Sequence, residues 1–276
     1  MSGLELTGLE DKVAVVTGAG RMLSIGRPVA VELARAGCDV VITGTGRPAE
    51  RSPDYEKAAG WRDIDSVADE VRVLGRRALP VVSNAADPDA VDELVERVLQ
   101  EFGRVDIVVN NASAAVGADR VPVIDLPLEE WRRVIDVNLN GTFYMSRAFG
   151  RRIVDQGEGG SIVNISSIAA KVVTAKQAAY TASKSGIHAL TAAMAHELGP
   201  SRVRVNTICP GFIDTDRTRV IPRGAPWDSV IAQKVPLGRA GEGTDIAWMV
   251  VYLCSDQGSW ITGQIYSIDG GQLAGL

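Results

Sequence analysis

A chain of 276 residues, 46% of them hydrophobic, carries enough apolar mass for one full core. Its net charge of −5 gives no basic footprint for nucleic acid or an anionic membrane, and no apolar run approaches the roughly 20 residues that span a bilayer. The opening residues lack the basic start and apolar core of a secretion signal, and the three scattered cysteines, Cys38, Cys209 and Cys254, fit a reducing compartment, so a cytoplasmic location is expected.

Residues 12–17 (Lys-Val-Ala-Val-Val-Thr) read as a buried strand. A glycine-rich turn follows, Gly18-Ala-Gly20-Arg21-Met-Leu-Ser24-Ile25-Gly26, and then a helix over 27–36. Pro28 is compatible with that helix because it falls in the first turn. Strand, glycine turn and helix form the layout that binds a dinucleotide pyrophosphate, with backbone N–H groups at the helix start facing the phosphates. Residues 38–43 form the second strand, whose end selects the cofactor. A carboxylate there would hold the ribose 2′-OH of NAD, but the run is Gly44-Thr45-Gly46-Arg47. Arg21 and Arg47 could both reach a 2′-phosphate, so NADP(H) is favoured, with NAD(H) possible; either arginine could instead point to water.

Residues 47–63 are polar and rich in Pro, Gly and charge, which predicts a loop or insertion pinned by Trp61. It could cap the adenosine end of a cofactor or lie on the surface. A helix over 64–74 and a strand over 78–83 lead to Asn84 and Ala85, at an adenine edge. An amphipathic helix spans 88–102, and a fourth strand over 105–109 ends in Asn110-Asn111-Ala112-Ser113. One long helix is predicted over 128–156, containing Asn138, and a strand over 161–165 runs into Ser166 and Ser167. A helix over 178–198 holds Tyr180, Lys184 and both histidines, His188 and His196, which lack a cysteine or acidic cluster, so no metal site is expected. A strand over 203–208 ends in Cys209-Pro210-Gly211-Phe212. Residues 213–241 are loop-like with short helical stretches. A helix over 244–254 and a strand over 264–268 complete the chain before Asp269-Gly270-Gly271.

Alternating strands and helices, without repeat or linker, predict a single α/β domain over residues 1–276, a doubly wound parallel sheet of about seven strands with helices on both faces. Ligands of such sheets bind outside the carboxyl ends of the strands. Gly18, Asn84, Asn110, Ser167 and Pro210 all fall at those ends. Tyr180 and Lys184 are four apart and share a helix face. An ammonium beside a phenol favours the phenolate, so Tyr180 could trade protons near neutral pH as a general acid or base.

Thr17-Gly18-Ala19-Gly20 through Gly26, Asn110-Asn111-Ala112, Asn138, Ser167, Tyr180-x-x-x-Lys184, Pro210-Gly211 and Asp269-Gly270-Gly271 together resemble the short-chain dehydrogenase/reductase family, over about residues 9–271 and closest in kind to its 3-oxoacyl-carrier-protein reductases. The resemblance implies a Rossmann-like fold and a catalytic tetrad of Asn138, Ser167, Tyr180 and Lys184. In it Tyr180 exchanges the proton, Ser167 holds the substrate oxygen, Lys184 lowers the tyrosine pKa and binds the nicotinamide ribose, and Asn138 holds a water. It implies cofactor contacts from Gly18, Gly20, Arg21, Ser24, Ile25, Gly26 and Arg47, from Asn84 and Ala85 around the adenine, from Asn110 and Ala112 beside the nicotinamide ribose, and from Pro210, Gly211, Ile213 and Thr215. Substrate contacts are expected from Ser113, Ala169, Gln177 and Phe212, with a substrate loop at about 212–240. Val172, Val173, Phe212 and Trp227 suggest an apolar substrate; Arg219 and Arg223 could meet an anionic carrier such as a phosphopantetheine arm or be solvated, and solvation is favoured. The turn is two residues longer than the family's usual form, with Ser24 in place of the middle glycine; Asn84 replaces an aspartate, Ser113 a glycine, and the segment after Arg47 is longer.

The activity implied is hydride transfer between a nicotinamide and a small-molecule carbonyl or secondary alcohol, as an NADPH-dependent ketone or 3-oxoacyl reductase. The alternatives are an NAD-dependent dehydrogenase of a secondary, cyclic, sugar or steroid alcohol, and a catalytically inactive dinucleotide-binding sensor. The family also implies a homotetramer, or a homodimer, built through 128–156, 178–198 and the last strand, with neither nucleic acid nor membrane as partner.

Overall fold

Seven apolar runs become the strands of one sheet in the computed structural model, which describes residues 6–274. In chain order the elements are β1 (Val13–Val16), α1 (Gly26–Arg35), β2 (Asp39–Gly44), α2 (Asp54–Ala58), α3 (Ile64–Val73), β3 (Ala78–Val82), α4 (Pro88–Phe102), β4 (Ile107–Asn110), α5 (Leu128–Ile135), α6 (Gly141–Gln156), β5 (Gly160–Ile165), α7 (Ala178–Leu198), β6 (Val203–Pro210), α8 (Ala225–Lys234), α9 (Gly243–Cys254) and β7 (Ile265–Ile268). The sheet order is β3-β2-β1-β4-β5-β6-β7, and every pairing is parallel. After β3 the chain crosses back to place β4 on the other side of β1. The winding therefore reverses between β1 and β4, and the crevice opens at their carboxyl ends.

Alternation along the strands divides the core in two. Ala14 and Val16 face one layer with Val29 and Leu33 of α1, Val67 and Val71 of α3, and Ile246 and Val250 of α9. Val13 and Val15 face the other, with Leu94 and Val98 of α4 and Met145 and Phe149 of α6. Both faces are covered, which is why β1 is apolar at every position. Pro80 is tolerated in β3 because β3 is an edge strand. Helix α4 carries its signals in full: Asp87 accepts from the Asp89 N–H at 3.1 Å, Pro88 starts the first turn, and Gly103 closes the helix at φ 75°.

Three segments differ from the sequence expectation. The helix expected over 128–156 is continuous in path but contains a π-helical turn at Asp136–Asn140, where the Gly141 N–H bonds the Asp136 carbonyl five residues back. The insertion is structured, with a 3₁₀ turn at Ala49–Arg51 and α2. The segment 213–241 contains a 3₁₀ turn at Asp216–Val220 and the ten-residue α8, whose Pro226 is a helix-start residue rather than a breaker. Helix α8 buries Trp227 and Ile231 against Phe212. Among the described residues no helix is long and apolar enough to cross a membrane.

Candidate active site

The ends of β1 and β4 are stitched together by Thr17. Its hydroxyl accepts from the N–H groups of Asn111 and Ala112, both at 3.0 Å, and Asn111 Nδ2 donates back to the carbonyls of Thr17 and Gly18 at 2.9 and 3.0 Å. Gly18 stands at φ 64°, and a Cβ there would lie 2.8 Å from Ala112 Cα, so conformation and space both require glycine. The unusual length of the turn is closed locally: Ser24 Oγ donates to the Arg21 carbonyl and accepts the Arg27 N–H.

The insertion braces this turn. Trp61 Nε1 donates to the Gly20 carbonyl at 2.7 Å, and the fully buried Glu56 accepts the Met22 N–H at 3.0 Å. Its inner side also lines the crevice, which has a volume of about 1120 Å³ and receives Gly18, Gly20, Arg21, Ser24 and Ile25 from the turn, Arg47 and Asp63 from the insertion, and Asn84 and Ala85 from the end of β3. That volume exceeds the roughly 300–1,000 Å³ typical of sites for drug-sized ligands, so a dinucleotide is within its scale. The glycine turn at the N-terminus of α1 fits a pyrophosphate there.

At the adenosine end, both arginines expected to meet a 2′-phosphate are paired. Arg47 forms an ion pair with Glu56 through Nη2, and its Nε and Nη1 are sealed from solvent without partners. Arg21 Nη1 lies 3.2 Å from Asp216 Oδ2. The carboxylate that the end of β2 lacks is supplied from elsewhere. Asp63 precedes α3 yet does not cap it, and its carboxylate sits where a Cβ on Gly20 would be. Its backbone is at φ 52°, ψ −128°, a region costly for a residue with a side chain. Nothing in the sequence marked Asp63 beyond its place at the end of the insertion.

At the reacting end, Tyr180 and Lys184 project from α7 and Ser167 follows β5, all lining the crevice. Lys184 Nζ is buried, donates to the Ile165 carbonyl at 2.8 Å and lies 5.9 Å from the Tyr180 ring centroid. Desolvation pulls the lysine down to about 8, against the opposing pull of Tyr180. For Tyr180 burial pushes upward, but the Arg217 guanidinium, the Lys184 ammonium, the Ser167 hydroxyl and Arg120 outweigh it and leave the phenol below its ordinary value. Ser166 also borders the crevice, and its hydroxyl donates to the Lys184 carbonyl of α7 at 2.9 Å. Cys209 is buried beside His188, and burial pushes its thiol up, which removes it as a nucleophile.

Asn138 sits in the π turn, fully buried, with its side chain engaged. Oδ1 accepts from Ser113 Oγ at 3.1 Å and the Ala114 N–H at 2.8 Å, while Nδ2 donates to Ser183 at 2.9 Å. It ties the loop after β4 to α7, and such π segments recur at functional sites. Ala112, Ser113, Pro210, Gly211, Ile213 and Thr215 line the crevice as expected. The Asn110 side chain does not: it points into the core, donating to Ser146 and Asn164 at 2.8 Å each, and Asn111 lines the crevice instead. Of the four expected substrate residues only Ser113 lines it. Ala169 packs beside Tyr180, Gln177 precedes α7, and Phe212 lies in the side cluster with Trp227. Arg219 and Arg223 are not simply solvated, since Arg219 stacks on Tyr55 and Arg223 pairs with Asp214 over Trp227. Two further residues had no anticipating signal: the guanidinium carbons of Arg120 and Arg217 each stand 4.9 Å from the centroid of the Tyr180 ring.

A family model described as Enoyl-(Acyl carrier protein) reductase matches residues 18–272. The chain is 37% identical to an L-rhamnose 1-dehydrogenase (NAD(P)(+)) of Azotobacter vinelandii, over 97% of this chain and 99% of that one. It is 35% identical to a 3-oxoacyl-[acyl-carrier-protein] reductase of Thermotoga maritima, over 95% and 98%. The chain belongs to the short-chain dehydrogenase/reductase family. The structure of carveol dehydrogenase from Mycobacterium avium in complex with NAD is similar with a TM-score of 0.85 at 29% identity, covering 96% of this chain and 99% of that one. This short-chain dehydrogenase/reductase is an oxidoreductase, and the crevice at the β1–β4 switch is where its Tyr180, Lys184 and glycine turn converge.

Proposed function

We propose that this protein transfers a hydride between a nicotinamide dinucleotide and a carbonyl or secondary alcohol, with Tyr180 as general acid in reduction and general base in oxidation. The observation that carries this reading is the buried phenol, lowered in pKa beside the desolvated ammonium of Lys184 and the Ser167 hydroxyl, at the mouth of a crevice scaled for a dinucleotide. The cofactor supplies or receives the hydride. The protein's part is to hold the substrate oxygen between Ser167 and Tyr180 and to pass the proton at the phenol oxygen. Asn138 positions the loop carrying Ser113 and Ala114, and a bound water at the π turn is its further role. Ser167 standing ahead of Tyr180 favours carbonyl over enoyl reduction, and four filled tetrad positions favour an active enzyme over an inactive sensor.

At the adenosine end the geometry favours NAD(H). The Asp63 carboxylate accepts no hydrogen bond from the described residues and is 19% exposed beside Gly20, so it is available to a ribose diol and repels a 2′-phosphate. The second reading, NADP(H), is favoured by the two partnerless nitrogens of Arg47, which a 2′-phosphate would satisfy if the guanidinium swung off Glu56. Fluorescence titration with NADH and NADPH separates the two. Binding of NADH at least tenfold tighter supports Asp63, and the reverse supports Arg47. Binding of both, followed by turnover of an alcohol or ketone that Tyr180→Phe abolishes without loss of cofactor affinity, is the result expected of the hydride-transfer reading. Binding of neither refutes it. The grooved face of α4, α6 and α7, where Phe143 is 44% exposed, suits a homotetramer or homodimer in a cytoplasmic enzyme.

A further inference from the structure

We infer that the substrate carries a carboxylate within a few bonds of its reacting carbon, and that Arg120 and Arg217 clamp it. The inference rests on the hydride-transfer reading and adds the substrate's chemical class. Position is the first argument. Both guanidinium carbons stand 4.9 Å from the ring centroid of Tyr180, the proton-transfer residue; Arg217 lines the crevice there, and Arg120 packs on the same ring. Arg217 also donates to Ser113 Oγ at 2.9 Å and to the Ala114 carbonyl, which anchors it to the loop after β4.

Charge is the second argument. The other arginines of this segment are each paired with a carboxylate: Arg219 lies 3.6 Å from Asp216, and Arg223 is bonded to Asp214. Arg217 has only neutral acceptors. Arg120 Nε lies 3.3 Å from Asp119, which is shared with Arg133 at 3.5 Å. The two Nη groups of Arg120 make no hydrogen bond to any described residue. Half-buried arginines are ordinarily paired. Here two of them flank one aromatic ring with a single carboxylate, Asp119, between them, and the buried Lys184 adds a third positive charge nearby. Burial, with the neighbouring Arg217 charge, pulls the Arg120 guanidinium below its ordinary value against the opposing pull of Asp119. An anion in the gap removes that imbalance, and the planar fork of a guanidinium matches a carboxylate in particular.

The third argument is what else stands at this end. The residues that suggested an apolar substrate lie elsewhere: Val172 and Val173 are exposed at the surface, and Phe212 and Trp227 pack against each other. Beside Tyr180 the crevice is lined by Ser113, Ser167 and Arg217 together with Ala114 and Val137, and Arg120 stacks on the Tyr180 ring.

The test uses the full chain saturated with NADH and follows cofactor fluorescence while two matched pairs are added, benzoate against benzamide and cyclohexanecarboxylate against its carboxamide. The acids should bind at least tenfold more tightly than the amides. Arg120→Gln and Arg217→Gln should each erase most of that preference while leaving NADH affinity unchanged, which also reports that they fold. Arg217→Lys, which keeps the charge without the fork, should retain part of it. Equal binding of acid and amide overturns the inference, as does a preference that survives the double variant. A tenfold loss of NADH affinity in Arg217→Gln assigns that arginine to the cofactor and overturns it too. Absence of binding of both NADH and NADPH is a distinct failure, of the hydride-transfer reading beneath; if only NADPH binds, the same pairs are read on the NADPH complex.

Discussion

Replacing Asp63 with glycine should make the protein more stable and worse at holding NADH. Asp63 sits at φ 52°, ψ −128°, and its carboxylate neither caps α3 nor accepts any other hydrogen bond from the described residues. A backbone of this kind costs about 1–3 kcal/mol in a residue with a side chain. Glycine removes that cost but loses roughly 0.5–1 kcal/mol of its own through the unfolded chain. The weak ion pair to Arg47, 3.8 Å apart, contributes little. The balance is a gain of up to about 2 kcal/mol, or several degrees in melting temperature at about 2–4 °C per kcal/mol. On the binding side, a hydrogen bond to a charged acceptor is worth about 1.5–3 kcal/mol, so NADH affinity should fall roughly 10- to 100-fold. Asp63→Asn separates the effects: it keeps the strained backbone, loses the charge, and should tighten NADPH by removing repulsion. Melting curves and fluorescence titrations on the three proteins decide the matter. An Asp63→Gly protein that melts lower than the parent and binds NADH equally well would refute the reasoning on both counts.

Three further outcomes follow from the reacting end and the insertion. Alcohol oxidation needs the phenolate, so its kcat/KM should rise with pH and level off below the ordinary tyrosine value near 10, while ketone reduction should fall over the same range; Arg217→Gln should move both midpoints upward, because that guanidinium is the largest of the influences lowering Tyr180. Desolvation holds Lys184 at about 8 in the folded state, below its ordinary value of 10.5, so the folded state binds fewer protons than the unfolded state between those limits. Stability from this group therefore rises with pH across that window, and Lys184→Met should be more stable than the parent at pH 7 by about 2 kcal/mol, with the advantage shrinking toward pH 10, while turnover collapses. Trp61→Phe, which deletes the bond to the Gly20 carbonyl and shrinks the ring beneath Arg27, should cost at least about 1 kcal/mol of stability and weaken cofactor binding, as melting and titration would report.

The order and type of the elements were legible because the strands are short runs dominated by apolar residues, as β1 and β4 are, and helices such as α4 carry start and stop residues that act locally, here Asp87, Pro88 and Gly103. Tyr180, Lys184, Ser167 and Gly18 were legible for a related reason: their spacing to a strand end or along a helix fixes where they point. The misplaced residues are those whose direction depends on a neighbour in space. Asn110 sits at the end of β4, where a single residue of register decides between crevice and core; the hydroxyl of Ser146 and the amide of Asn164, both distant in sequence, draw it inward. Phe212 was expected at the substrate but is captured by Trp227 of α8, a helix the prolines had concealed. The π turn at Asp136–Asn140 depends on Asn138 bonding Ser113, Ala114 and Ser183, partners distant in sequence.

What the sequence pattern conveyed least is concentrated in three segments that are not part of the strand–helix repeat: the insertion at 48–63, the loop after β4, and the segment after Gly211. These bring Asp63 to the adenosine end, Arg120 to the reacting end, and Arg217 across to meet it. Their positions are set by long-range pairings, Glu56 with Arg47 and Met22, Trp61 with Gly20, Arg217 with Ser113, none of which has a sequence period. The sheet and the tetrad define a chemistry that many substrates could use, and they are held by local rules that a pattern reveals. In the proposed function, selection of cofactor and substrate falls instead to charges delivered by irregular segments to the two ends of one crevice. A chimera that replaces residues 48–63 with a short turn should therefore keep the sheet and the Tyr180–Lys184 pair and lose discrimination between NADH and NADPH, with the preference of the binary complex for benzoate over benzamide intact. Loss of both selectivities together would mean that the two ends are coupled through the Arg21–Asp216 and Tyr55–Asp216 contacts, which join the insertion and the glycine turn to the segment that carries Arg217.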